Sequence, residues 1–108
     1  MAISIPIFTS QLAKARLATN QANARAAYAA VEAQYLQDDT KTGDFTYNVS
    51  SGKLADTALI SGTTMIGNYN TDISSWKTTL NDLGSTVYKT WTLTVNKDGT
   101  IKAYKAGK

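Results

Sequence analysis

An α+β fold, with one long N-terminal helix packed on a three- or four-stranded antiparallel sheet, is what this 108-residue sequence predicts. Three observations carry that expectation. After Pro6 no glycine or further proline occurs before Gln37, and the stretch is rich in Ala, Leu, Lys, Arg, Gln and Glu, the residues that lose least on entering a helix. Near the other end, TVYKTWTLTV (Thr86–Val95) alternates, Asn96-Lys97-Asp98-Gly99 is a hairpin signal, and Thr100–Tyr104 returns. Finally, 43% hydrophobic content over this length fits one core, so residues 1–108 are read as a single domain, with 1–37 a spine helix and 38–108 a loop and sheet region.

The helix, from Pro6 to about Gln37, is a rod of roughly 48 Å. Ser4 is placed to cap it, with Pro6 in the first turn, where a missing N–H is harmless. Its halves differ. In the C-terminal half Ala24, Tyr28, Val31 and Tyr35 recur at spacings of four, three and four, with Ala27 alongside. That bulky stripe is expected to pack on the sheet. Tyr28 and Tyr35 are thus read as core rather than as surface aromatics that recognise a sugar or another subunit. The N-terminal half carries Phe8, Leu12, Ala15, then Ala18 or Thr19, and Ala22. This thinner stripe permits close helix-to-helix approach and builds no core, and Phe8 is expected to project beyond the sheet. A sustained coiled coil is disfavoured, because large a and d side chains do not persist. Met1–Phe8, MAISIPIF, is apolar and uncharged, too short for a membrane span and unlike a signal peptide. It is expected to be the tail of a helix that continues upstream in a parent chain.

Asp38–Asp44 is polar and closes the helix. Phe45–Val49 alternates and reads as an edge strand, followed by a turn at Ser50-Ser51-Gly52. Lys53–Ile66 is ambiguous, with Leu54, Ala58 and Ile60 suiting a short helix that breaks early; Gly67–Asn70 reads as loop. Thr71 or Asp72 is placed to cap a second short helix carrying Ile73, Trp76, Leu80 and Leu83 and ended by Gly84. On Thr86–Val95, strict alternation puts Val87, Lys89, Trp91, Leu93 and Val95 on one face and Tyr88, Thr90, Thr92 and Thr94 on the other. Ile101 and Ala103 share a face of the returning strand.

Chemistry is sparse. There is no cysteine and no histidine, which removes disulfides, thiolate nucleophiles and the usual nitrogen and sulfur ligands of zinc. Most of the eight acids lie at turn signals or helix ends, where they cap and turn rather than pair for acid–base work. No GxSxG or phosphate loop occurs. No enzyme, metal or cofactor role is expected. Asn96–Thr100 and Asp38–Asp44 superficially resemble calcium loops without the terminal glutamate, and Asn48-Val49-Ser50 is a chance match to the glycosylation sequon. The net charge of +3 comes from scattered lysines and two arginines, Arg16 and Arg25, so no nucleic-acid surface is expected. Lys102, Lys105 and Lys108 read as a solvated strand end.

The opening resembles the spine helix of type IV pilins, in particular the disulfide-free forms of Gram-positive bacteria. The residues that carry it are Ala2-Ile3-Ser4-Ile5-Pro6, then Ile7-Phe8, then the alanine-rich stretch from Leu12 to Tyr35 with Arg16, Asn20, Asn23 and Arg25. The resemblance implies a structural subunit of a surface pilus, serving adhesion or motility, whose helix anchors in the inner membrane before assembly and forms the filament core afterwards. Ile3, Ile5, Pro6, Phe8, Leu12 and Ala15 would make the core contacts. The implied partners are copies of the same chain, minor pilins and the pilus assembly machinery. Asp38–Met65 and Gly67–Gly84 would face outward. The peptidase site, the glutamate near the mature N-terminus and most of the apolar anchor of that family are not in this sequence, nor is the cysteine pair of many Gram-negative pilins, whose place the Asn96–Gly99 hairpin would take. Two other readings compete: a pseudopilin of a type II secretion or competence machine, and a surface carbohydrate-binding module, which predicts exposed Trp76 and Tyr69.

Overall fold

The computed structural model describes residues 4–55, 65–69, 72–76 and 83–107, leaving aside the side chains of 4–10, 65–69 and 103. Helix α1 runs unbroken over Ser4–Gln37. It packs on a five-stranded antiparallel sheet of β1 (Gly43–Asn48), β2 (Lys53–Ala55), β3 (Met65–Tyr69), β4 (Thr90–Val95) and β5 (Ile101–Gly107), in the order β2-β1-β4-β5-β3. The fold is therefore the long-helix, antiparallel open-sheet α+β architecture, with one strand more than the sequence suggests.

The helix stops where polar side chains compete for its backbone. Asp38 N–H still bonds the Gln34 carbonyl, but Asp38 Oδ1 accepts from the N–H and hydroxyl of Thr40, a turn that substitutes for further helix. Gly43, at φ +102°, then starts β1 in the left-handed region, where a Cβ would be strained.

Register decides which residues meet the helix. In β1 and β4, Phe45 pairs with Leu93 and Tyr47 with Trp91; in β4 and β5, Leu93 pairs with Tyr104 and Trp91 with Ala106. Directly paired residues share a face, so these side chains form one apolar surface. It is buried with Ala24, Ala27 and Val31 of α1 in a single core. The opposite face carries Thr46 and Thr92, whose hydroxyls bond each other at 2.8 Å; both are buried.

Several elements differ from expectation. Strand β1 is interior, not an edge, because β2 pairs with it through Thr46–Ala55, Tyr47–Leu54 and Asn48–Lys53. Leu54, expected in a short helix, thus lies in a strand and packs on the core; Ala58 and Ile60 fall outside the described residues. Gly67–Tyr69, expected as loop, belongs to edge strand β3, where Asn68 and Tyr69 pair with Lys105 and Tyr104. The open edge of β5 overrides the weak strand propensity of Gly and Asn.

Of the expected second helix, the described residues 72–76 form one 3₁₀ turn, Ile73–Ser75, and residues 77–82 fall outside the description. Ser74 and Ser75 hydroxyls bond Asp72 Oδ1 and the Asp72 carbonyl at 2.7 and 2.8 Å, competing with helical propagation. Trp76 is extended (φ −65°, ψ 142°) and stacks on Trp91 with ring centroids 5.5 Å apart. Leu80 lies outside the described residues, whereas Leu83 is fully buried.

Strand β4 begins at Thr90, so the expected alternation holds for Trp91, Leu93 and Val95 against Thr92 but fails before Thr90. Tyr88 is buried with its ring edge-on to Trp91 at 6.1 Å, while Val87 and Lys89 are exposed. The return strand also breaks strict alternation. Leu93 pairs with Tyr104 and Val95 with Ile101, so β5 spends one extra residue there. That bulge puts Ile101 and Tyr104 on the apolar face together; the Ala103 side chain is outside the description.

Candidate functional site

Helix α1 presents two different faces over its described length, and the contrast between them is the most specific feature of the molecule. The inner face holds Asn20, Ala24, Ala27 and Val31, all buried, with Leu17 and Tyr35 packed against the core at its ends. Alanines at 24 and 27 let the helix backbone approach the sheet, and Val31 fills the space beside it. Tyr28, expected in this stripe, is corrected by the structure: it is 38% exposed. One step around the helix turns it from the sheet toward Glu32, and the Glu32 carboxylate, as hydrogen-bond acceptor and neighbouring charge, raises the Tyr28 hydroxyl above its ordinary range.

Asn20 went unrecognised in the sequence, where an asparagine within a helix reads as a solvated position. Its side-chain N–H groups donate to the carbonyls of Leu83 and Thr86, both at 2.8 Å, and its Oδ1 accepts from the Tyr88 N–H at 3.0 Å. Gln21 adds a bond from Nε2 to the Ile73 carbonyl at 2.9 Å. Two adjacent amides of the spine thus hold the two irregular segments, which have few ladder partners of their own. At the far end of the helix, Tyr35 donates its hydroxyl to the Lys97 carbonyl at 2.9 Å, fixing the hairpin.

The outer face is different in kind. Ala15, Ala18, Ala22, Ala26, Ala29 and Ala33 are all exposed and recur every three or four residues, so they line one continuous stripe. Leu12, at 37% exposure, and Leu36, at 82%, stand towards its ends. Ile5, Pro6 and Phe8 lie on the helix, but their side chains are outside the description, and Ile3 is outside it altogether. Among the described residues no helix is long and apolar enough to cross a membrane, and no cluster of His, Cys, Asp or Glu is suited to a metal.

Trp76, which a carbohydrate platform would require at the surface, is only 4% exposed because it lies between Trp91 and Tyr104. The Tyr69 side chain is outside the description. Asn48 of the sequon-like triplet turns its Oδ1 to the N–H and hydroxyl of Ser50, an ordinary turn. Scans against family models, curated proteins and solved structures each found no match to the chain.

Proposed function

We propose that this chain is a structural subunit of a type IV pilin-like filament, polymerising through α1 and presenting the sheet and its loops outward. The observation that supports this is the outer alanine stripe, on a helix whose inner face is already occupied. Small side chains allow helix axes to approach to about 8 Å, so many weak dispersion contacts accumulate along the rod. Membrane attachment before assembly, surface display after it, and minor subunits and assembly machinery as partners belong to the same reading.

The test uses Ala22→Glu, which places a charge in mid-stripe at an exposed site. Expressed in the producing cell, the variant should abolish surface filaments, while the purified domain melts within about 2 °C of the parent, as for surface substitutions in general. Filaments of normal number and length from Ala22→Glu and Ala18→Glu cells would rule out assembly through this face.

A further inference from the structure

A groove of about 600 Å³ lies between α1, the 72–74 turn and the base of the hairpin. That volume is within the range of small-molecule sites. Arg25, Tyr28 and Glu32 line it from the helix, Asp72 and Ser74 from the turn, and Tyr104 from β5. Three features distinguish it from an accidental crease. The Arg25 guanidinium and the Glu32 and Asp72 carboxylates make no ion pair among the described residues, although all three border one space. Tyr104 is 1% exposed and lines the groove, and its hydroxyl makes no hydrogen bond among the described residues. Burial, with the neighbouring Tyr28, pushes that hydroxyl up to about 12, so it stays protonated and is a donor.

We propose that this groove binds an amino sugar carrying a free ammonium group. An ammonium takes up the Glu32 and Asp72 carboxylates in charge-assisted bonds. Ring hydroxyls accept from Arg25 and from the Tyr104 hydroxyl, and the apolar face of the sugar covers Tyr28 and Ile73. A lysine side chain would use the carboxylates but offer no acceptor to Arg25 or the Tyr104 hydroxyl; a neutral sugar would bring no cation to the carboxylates. Of these three, the amino sugar alone brings both an ammonium for the carboxylates and hydroxyl acceptors for Arg25 and Tyr104. The groove borders the alanine stripe, with Arg25 three residues from Ala22 and four from Ala29, but the proposal does not depend on filament assembly.

The test is calorimetric titration of the purified chain with a glucosamine tetramer, its fully N-acetylated counterpart and a lysine-rich peptide. The glucosamine tetramer should bind, with affinity falling about tenfold or more in Glu32→Gln and in Tyr104→Phe, the latter checked for an unchanged melting temperature. Binding should also weaken as pH rises through the amine's own titration. Equal binding of the acetylated tetramer, preferential binding of the peptide, no binding at millimolar sugar, or full affinity in both variants would each overturn the proposal.

Discussion

At the residue scale, stability is concentrated in a few side chains that do more than fill space. Asn20 satisfies two carbonyls and one N–H of a segment without a ladder. Asn20→Ala strands those groups, and with about 1–3 kcal/mol for each unpaired buried group, partly relieved by water, it should cost about 3 kcal/mol in urea unfolding. A loss below about 1 kcal/mol would mean that the clamp contributes little. Val31, 1% exposed between helix and sheet, tolerates no charge. Val31→Asp should cost several kcal/mol, and an unchanged melt would contradict its burial. Gly99 is constrained twice, by φ +88° and by Tyr35 Cε1 lying 2.6 Å from where a Cβ would stand. Gly99→Ala should therefore destabilise by about 1–3 kcal/mol, and a Tyr35→Ala background should relieve the steric share and leave the backbone share. An equal penalty in both backgrounds would show that the ring contact is immaterial.

At the element scale, turns are set by one repeated device, an Asx residue whose side-chain oxygen takes the N–H and hydroxyl of a Ser or Thr two residues on. It occurs at Asp38–Thr40, Asn48–Ser50 and Asp98–Thr100. The Thr40 and Thr100 bonds hold Asp38 and Asp98 below the ordinary carboxylate value of 3.8. A depressed folded value means the stabilisation is present above that ordinary value and is lost as pH falls through the lowered one. The melting temperature should decline on acidification below about pH 4, and less so in Asp98→Asn; carboxyl titration by NMR at or above 3.8 would contradict the assignment.

The same scale shows what could be read from the chain. The helix was legible because an alanine-rich, glycine-free run has no competing structure, and the hairpin because Asp98-Gly99 specifies its own turn. Strand β3 and the 72–76 turn were not, because their conformations come from partners: β5 for Tyr69, Trp91 for Trp76. Alternation misplaces Tyr88 because the segment before Thr90 is held by the Asn20 side chain of the helix and not by a strand ladder. For the outer alanine stripe, composition was visible but the side left bare was not, since both faces of α1 contain alanine at helical spacing.

At the scale of the whole molecule, the principal extents of 56, 27 and 20 Å reflect the rod. A helix of 34 residues is about 51 Å long, so α1 sets the long axis. Its first fully buried side chain among those described is Asn20. Small-angle scattering should give a maximum dimension near 56 Å; a value closer to that of a sphere would mean that the spine folds back. Amide exchange in the isolated chain should be fast over 11–16 and slow over 24–35, because only the latter is covered by the sheet. Uniform protection would contradict a bare proximal segment.

The Asn20 and Tyr35 bonds close the chain's long loops in a protein without a single cysteine. Fastenings of this kind need no oxidant to form and no reductant to open. Dithiothreitol should leave the melt unmoved, and a molecule pulled apart can re-engage the same side-chain partners as soon as the strain is released.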